Sequence, residues 1–544
     1  MRLHNSDMAQ QYQAKGYWAD RLLIDFLEAA VSRTPDKLAI VDDRFGPVTY
    51  RALQERVWRL AMALHQHGIG VGDRFILALP NWQQAPTIML ALSYLGAIGV
   101  HMPVLGREHE FEGVLRVTGA RGIIVPARYH GYDYVAMIDS IALGHEVLEL
   151  KVAVAPESSP PGWIDFEALV EEADTAIPDR AWRPGADDIT SVLFTSGSSG
   201  DPKGAVHSAN TLNAFNATVA PIYGFGPDSV IFMAASLGFS GGLIHGPRLA
   251  IYLGATLILQ ESWNAEQALQ TMAEEGAAFT LFTPTLLHDL LESEAFPEYG
   301  PRLVLQLILC GGANVPRHLL RLARERLPNT LTSVIWGMTE GIGTACRIQD
   351  SPEYITGTDG KPFLGTELDI LDPAGERLTP GVEGELIMRG PQRFLGYFGR
   401  PELDDEVFLP DGWLRTGDLG TIDSAGYVKI SGRRKEIIIR GGANISPAEV
   451  ETALSSDPRI RQISIVSVPN RRLGEQLYAC IVPDQTGLDL TLDDLKQIAE
   501  QAGLAKYKWP EHIQIVESLP MTPGGKVVRR VLQEQVHAVF VSDE

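Results

Sequence analysis

Cysteine is scarce in this sequence of 544 residues, and positive charge is outnumbered. The three cysteines, Cys310, Cys346 and Cys480, lie far apart with no CxxC pair among them. This excludes a disulfide framework and a thiolate zinc site, and it fits a reducing cytoplasm. Lys and Arg total 46 against 68 Asp and Glu, a formal net charge of −22. Such a balance opposes a general role on nucleic acid or on an anionic membrane, so an anionic ligand must be held by local donors. Long hydrophobic runs are missing as well. The N-terminal MRLHNSDMAQQYQAKGYWADR has no apolar core, so it does not read as a secretory signal. Residues 75–106 contain no Asp, Glu, Lys or Arg, but Gly96, Gly99, His101 and Pro103 break the apolar part. A buried helix followed by a buried strand is expected there, with no integral membrane segment.

What the sequence does have is a loop rich in hydroxyls and glycine. Residues 191–210 read SVLFTSGSSGDPKGAVHSAN. Thr195, Ser196, Ser198 and Ser199 supply O–H donors, while Gly197, Gly200 and Gly204 let backbone N–H groups approach an anion without a Cβ in the way. Lys203 adds a point charge. A P-loop would need Gly before that lysine and Ser or Thr after it, where this chain has Pro202 and Gly204. Taken alone, the segment fits either an anion cradle or a surface loop.

Apolar residues at helical spacing (Leu22, Leu23, Phe26, Leu27, Ala30, Val31; then Leu53, Val57, Leu60, Ala61, Leu64 after a Thr49 N-cap) alternate with short apolar runs at 75–79, 123–125, 256–259 and 303–309. That alternation predicts an α/β chain with buried, parallel-type sheets. From about Gly365, Gly-punctuated runs at 367–371, 385–388 and 427–430 predict antiparallel strands in a β-rich subdomain. A boundary is expected at Gly432-Arg433-Arg434-Lys435, followed by helices near 446–454 and 492–502 with strands between.

TSGSSGDPKG resembles the phosphate-binding signature of the adenylate-forming superfamily, which includes acyl- and aryl-CoA synthetases, peptide-synthetase adenylation domains and luciferase. Further segments in the same order carry the resemblance: Gly311-Gly312-Ala313 with Asn314, Trp336-Gly337-Met338-Thr339-Glu340, Gly384-Glu385-Leu386, Trp413 to Asp418, Gly432 to Glu451, and Pro523-Gly524-Gly525-Lys526. The resemblance implies an α/β fold whose large N-terminal AMP-binding domain (1–432) has two α/β subdomains and a β-rich one. A hinge at 433–435 would join it to a small moving α+β C-terminal domain (436–544).

It also implies roles for single residues. Thr195, Ser196, Gly197, Ser198, Ser199, Gly200 and Lys203 would hold the β- and γ-phosphates of ATP. Gly312, Ala313, Asn314, Trp336, Gly337 and Met338 would flank the adenine, with either Trp or the family's usual Tyr able to stack on it. Thr339 would contact the α-phosphate and Glu340 would ligate Mg²⁺, although an isolated Thr-Glu pair reads equally as a helix start. Asp418 would accept from the ribose hydroxyls, or else serve as an Asx-turn residue. Arg433 would approach the same region. Lys526, by composition a tail lysine, would bridge carboxylate and α-phosphate, and Lys435 stands at the hinge position or is one charge in a basic cluster. Gly441 and Gly442 would let a pantetheine arm pass, or form an ordinary hairpin turn.

Phe239, Gly311 and Gly341 are the expected acyl-pocket residues. Residues 236–242 contain no acidic group to pair with an ammonium, which disfavours amino acids as substrates. Phe239 stands where many acyl- and aryl-CoA synthetases carry His, and an apolar ring suits an aliphatic or alicyclic acid. The N-terminal segment, WGMTE and SGRRKEIIIRGGANISPAEVE together resemble the bacterial medium-chain and cyclohexanecarboxylate CoA ligase branch. The expected activity is therefore an acid–CoA ligase using ATP, Mg²⁺ and CoA on a small carboxylic acid that is medium-chain, alicyclic or aromatic. Two other readings are a stand-alone adenylating enzyme that loads a carrier protein, and a binding protein that has lost activity on this fold. No carrier domain is expected after Lys526, so the acceptor comes from outside; a homodimer is an open expectation.

Overall fold

A computed structural model describes residues 6–142, 144, 147–157, 160–195, 203–312, 315, 317–433, 438–445, 447–455, 457, 459–484, 489–520, 527 and 529–542. Two large sheets carry its N-terminal part. In the first, nine strands long, Leu331–Met338, Leu307–Gly311, Phe279–Phe282, Val230–Met233, Thr256–Leu259 and Leu38–Asp42 run parallel to their neighbours in that order. The second has seven strands. Ile98–His101, Arg74–Leu77, Gly122–Pro126 and Leu150–Val154 form its parallel centre, and the antiparallel pair Ile189–Thr195 and Lys203–Ser208 closes one edge. Burial on both faces explains the near-continuous apolar runs of these strands. A single apolar core joins both sheets, taking in Ile76 and Val192 from one and Leu257 and Leu307 from the other.

Local signals behave as physical chemistry requires. Helix Tyr50–Gln66 starts at Thr49, whose hydroxyl accepts from the Ala52 N–H at 3.2 Å, and Leu53, Val57, Leu60 and Leu64 line its buried face. The uncharged stretch 75–106 forms helix Gln84–Leu95 and strand Ile98–His101, both buried on all sides. Among the described residues no helix is long and apolar enough to cross a membrane. One expected strand shifts. The apolar run at 303–309 begins pairing only at Leu307, because the chain reaches it from a tight turn at Gly300–Arg302.

A third sheet of four antiparallel strands, Glu367–Leu371, Gly384–Arg389, Leu414–Ile422 and Val428–Arg433, supplies the expected β-rich subdomain. Ile438–Arg440 then belongs to a different, five-stranded sheet. There, Gly474–Pro483 alternates between two small cores. Leu477, Ala479 and Ile481 meet the helices Pro447–Leu454 and Leu492–Gln501, while Tyr478, Cys480 and Val482 meet Leu532 and Val536 of helix Arg529–Ser542.

Candidate active site

A cavity of about 1500 Å³ lies where the first sheet, the third sheet and the C-terminal part meet. Its floor is built at the carboxyl ends of parallel strands: Ala234 to Ser236 follow Val230–Met233, Thr283 follows Phe279–Phe282, and Gly311 and Met338 end their strands. This is where α/β sheets ordinarily bind ligands, since no side-chain layer covers the strand ends.

The hydroxyl and glycine loop springs from the edge hairpin of the second sheet, with Thr195 and Lys203 as Cα partners at its base. Ser196, Gly197, Ser198, Ser199 and Gly200 lie outside the described residues, as do Ala313, Asn314, Lys435 and Lys526; for Thr195 and Arg433 only the main chain is described. Lys203 lines the cavity, its ammonium 5.7 Å from the centre of the Tyr397 ring.

Glu340 is anchored twice. Its carbonyl accepts from the Phe394 N–H at 2.9 Å, and its carboxylate Oε1 accepts from the Tyr397 hydroxyl at 2.6 Å. Burial, reinforced by the Glu340 carboxylate, pushes the Tyr397 phenol well above its ordinary range, so Tyr397 remains a donor. Asp404 Oδ1 in turn accepts from the Tyr397 N–H at 2.7 Å. Thr339 is pinned on both ends. His207 Nε2 lies 2.8 Å from the Thr339 carbonyl, which can only accept, so Nε2 carries the proton, and Ser240 Oγ lies 3.1 Å from Thr339 Oγ1. Burial lowers the His207 pKa to about 4, keeping this ring neutral. Lys203, Ala205 and His207 share one face of their strand, so the histidine lies on the same side of the sheet as the lysine.

Asp418 also lines the cavity and is buried. Its Oδ2 accepts from the Trp336 indole N–H at 2.8 Å, and its own N–H donates to Thr416 Oγ1 at 3.1 Å. Here the structure differs from the expectation of a ring stacked on adenine. The Trp336 ring is buried among Ile370, Leu386 and Val428, and what it presents toward the site is a donor for Asp418. Gly337, Met338 and Gly312 do line the cavity. Phe239 and Gly311 line it as well, whereas Gly341 sits behind Glu340 against Met388 and takes no part in the wall.

The C-terminal part closes over this floor with its glycine turn. Gly441 and Gly442 have φ of +55° and +84°, and a Cβ on Gly442 would lie 2.5 Å from Thr283 Cγ2. The same turn faces Gly312. Beside it, Thr285 Oγ1 donates to the Arg472 carbonyl at 2.6 Å, and Lys508 Nζ reaches both Glu110 and Glu449.

Residues 27–398 match the family described as AMP-binding enzyme, and residues 449–526 match the AMP-binding enzyme C-terminal domain. The chain belongs to the AMP-binding enzyme family. As a member of that family it is 32% identical to the medium-chain fatty-acid–CoA ligase of Escherichia coli, over 99% of this chain and 94% of the relative. It is also 32% identical to the salicyl-AMP ligase / salicyl-S-ArCP synthetase of Mycobacterium tuberculosis, over 98% and 94%. Among solved structures it resembles the amide bond synthetase McbA from Marinactinospora thermotolerans, with a TM-score of 0.83 and 25% identity, covering 94% of this chain and 99% of that one. The resemblance to adenylate-forming enzymes, with a large N-terminal and a small C-terminal domain, is borne out by these matches.

Sequence reasoning missed several groups of this AMP-binding enzyme. Tyr397 and Asp404 steady Glu340 from far along the chain, and no local pattern marks them. His207 could have been found, because it follows Lys203 at strand spacing. Glu110, Glu449 and Lys508 come together only when the two parts of the chain meet.

Proposed function

We propose that the chain is an ATP-dependent carboxylic acid–CoA ligase. The observation that carries this reading is a single cavity that joins Lys203, Thr339, Glu340 and Asp418 to an apolar acyl side and admits the Gly441-Gly442 turn of the C-terminal part. A carboxylate is a poor electrophile, because its charge repels a nucleophile and oxide does not leave. Joining it to AMP removes both obstacles. A carboxylate oxygen attacks the α-phosphorus while the bond to the β-phosphate oxygen breaks and pyrophosphate departs.

In this reading Lys203 and the loop at 195–200 hold the β- and γ-phosphates. Thr339, fixed by His207 and Ser240, donates to the α-phosphate, where charge builds in the transition state. Asp418, oriented by Trp336, accepts from the ribose hydroxyls, with Arg433 nearby. Glu340 fits Mg²⁺: it offers a buried hard oxygen donor at the cavity wall, and that ion takes one or two carboxylates and completes its shell with phosphate oxygens and water. Bound there, Mg²⁺ would neutralise charge on the departing phosphates. Lys526 is assigned to the adenylation step and residues 433–435 to the hinge, both on the family resemblance. Once the adenylate has formed, Gly441 and Gly442 leave room for a pantetheine arm, whose sulfur attacks the acyl carbon as AMP leaves.

Apolar walls support a medium-chain, alicyclic or aromatic acid. Three free, buried cysteines and the use of ATP and CoA support a cytoplasmic setting. A pantetheine arm is common to CoA and to carrier proteins, and the salicyl-S-ArCP synthetase relative favours the second reading, a carrier-protein acceptor. The test is an ATP- and Mg²⁺-dependent assay over hexanoate, octanoate, cyclohexanecarboxylate, benzoate and 2,3-dihydroxybenzoate, with and without CoA. Thioester with matching AMP supports the CoA ligase. Pyrophosphate release without thioester supports the carrier-protein reading, and no pyrophosphate with any acid overturns both.

A further inference from the structure

The cavity wall contains a histidine that the mechanism does not use. The helical segment starting at Ser240 is interrupted by a widened π turn, Ile244–Arg248, before regular helix resumes at Leu249–Leu253. Pro247 lies in that turn; it has no N–H to offer and its ring crowds the preceding turn, which accounts for the extra residue. The π turn holds His245 at the cavity wall, with only 3% of the residue exposed. Phe239, Ile244 and Leu281 line the same cavity, and the Phe279 ring stands 6.3 Å from the His245 ring, edge to face.

Among the described residues, neither ring nitrogen of His245 has a hydrogen-bond partner, in contrast to His207, whose two nitrogens meet Thr211 Oγ1 and the Thr339 carbonyl. Burial holds the His245 pKa at about 4, so the ring is a neutral imidazole with one donor and one acceptor. Arg248, at the end of the same turn, is engaged with Asn213 Oδ1 at 2.9 Å and is not part of the cavity wall. A donor and an acceptor on a cavity wall are costly to cover with a ligand that leaves them unpaired, whereas a ligand that satisfies them avoids that cost on binding. A hydrocarbon tail cannot do so. A second carboxylate would need a cation, and the wall near His245 offers a neutral ring.

We infer that His245 is a specificity-determining residue that selects acids carrying a hydroxyl or carbonyl oxygen on the body of the molecule, away from the reacting carboxylate. This rests on the ligase reading and names the substrate class of that same cavity. A site built to hydrogen-bond such a group rejects the analogue without it, because its own polar atoms are then buried unpaired. One such contact implies a preference of about 10- to 100-fold in kcat/KM.

The test measures pyrophosphate release for matched pairs: cyclohexanecarboxylate with its 3- and 4-hydroxy and 4-oxo forms, benzoate with its three monohydroxy forms, and octanoate with hydroxyoctanoates. Wild type is expected to favour at least one oxygenated member of a pair by 10- to 100-fold. His245→Phe should bring that ratio close to one while still turning over the plain member, and His245→Gln should retain part of it. Calorimetric binding of the paired acyl-sulfamoyl adenosines should show the same ratios without turnover. Pairs handled equally by wild type, or a ratio unchanged in His245→Phe, would overturn the inference with the ligase reading intact. Absence of pyrophosphate with every acid would instead remove the ligase reading, and the inference with it.

Discussion

Glu110 stands on helix Glu108–Thr118 of the N-terminal part, while Lys508 and Glu449 belong to the C-terminal part, so their ion cluster reports directly on how the two meet. Lys508 Nζ donates to Glu110 Oε1 at 2.7 Å and to Glu449 Oε1 at 2.6 Å, with only 5% of the lysine side chain exposed. Burial, with the Glu110 carboxylate adding to it, holds Glu449 above the usual carboxylate range even though Lys508 pulls it down. The Lys508–Glu449 bond lies within the C-terminal part, so of the two Lys508 bonds only the one to Glu110 depends on closure, beside a longer His109 Nε2–Glu449 Oε1 contact of 3.7 Å. Glu110 Oε2 also accepts from the Arg107 N–H at 2.9 Å, capping its own helix, and Gln at this position keeps the shape and an acceptor. Glu110→Gln therefore exchanges an ion-paired bond for one from the same ammonium to a neutral amide oxygen, a loss of about 1–2 kcal/mol. That loss corresponds to a shift of about 5- to 30-fold against this domain arrangement. The arrangement has Gly441-Gly442 in the cavity, so in the proposed reading the loss should fall on thioester formation. In single-turnover reactions, thioester formation from supplied acyl-AMP should slow about 5- to 30-fold, while pyrophosphate release without CoA stays within about twofold. Equal slowing of both half-reactions, or an unchanged second one, would refute the reasoning.

Trp336→Phe keeps a buried ring and removes the donor to Asp418. The KM for ATP should rise by about 5- to 30-fold, from about 1–2 kcal/mol of lost bonding to a buried carboxylate; an unchanged KM would show that Asp418 needs no such support. Tyr397→Phe frees one Glu340 oxygen and should lower the adenylation rate about 10-fold, as loss of a bond to a charged group does. A Mg²⁺ titration of pyrophosphate release should shift in midpoint with it, and an identical titration curve would contradict the link. Gly442→Ala places a Cβ 2.5 Å from Thr283 Cγ2 at a φ of +84°. It should impair thioester formation and spare adenylation, and adding Thr283→Ser should restore part of the loss; no restoration would mean that backbone strain alone is responsible. Burial lowers His101 to about 3 and His207 and His245 to about 4, from an ordinary 6.5. These depressed values mean that the stabilisation is complete above pH 6.5 and is lost as pH falls toward 4, when the unfolded chain takes up protons first. Three such groups contribute about 4 kcal/mol per pH unit below 6.5, so the melting temperature should drop steeply between pH 6.5 and 5; a flat profile would count against buried neutral rings.

Much of the N-terminal architecture was legible because local rules agree with tertiary burial there. The Thr49 cap, the apolar face of Tyr50–Gln66 and the buried helix and strand within the uncharged stretch 75–106 all read correctly, since each is decided within one helix or one strand. The ordered motifs likewise pointed to one family, as the match to residues 27–398 shows. What sequence could not give was partnership across distance. That Trp336 would turn its N–H to Asp418 depends on how the first and third sheets pack, as does the placement of Gly341, expected in the pocket, against Met388. His245 carried no signal at all, because a lone histidine in GLIHGPRL is as easily a satisfied core residue, and only the cavity behind the π turn distinguishes it.

The Tyr397 ring has one more consequence. Its hydroxyl end belongs to the Glu340 carboxylate and its face to the Lys203 ammonium, while its main chain is clamped by Asp404 and by bridging to Ala205. One phenol thus contacts an anion at its hydroxyl and a cation at its face. Opposite charges that collapse onto each other leave nothing for a guest to exchange with. Held apart by a ring of fixed width, they remain two poles of a socket, and in the proposed reading one would face the metal side of a nucleotide and the other its phosphates.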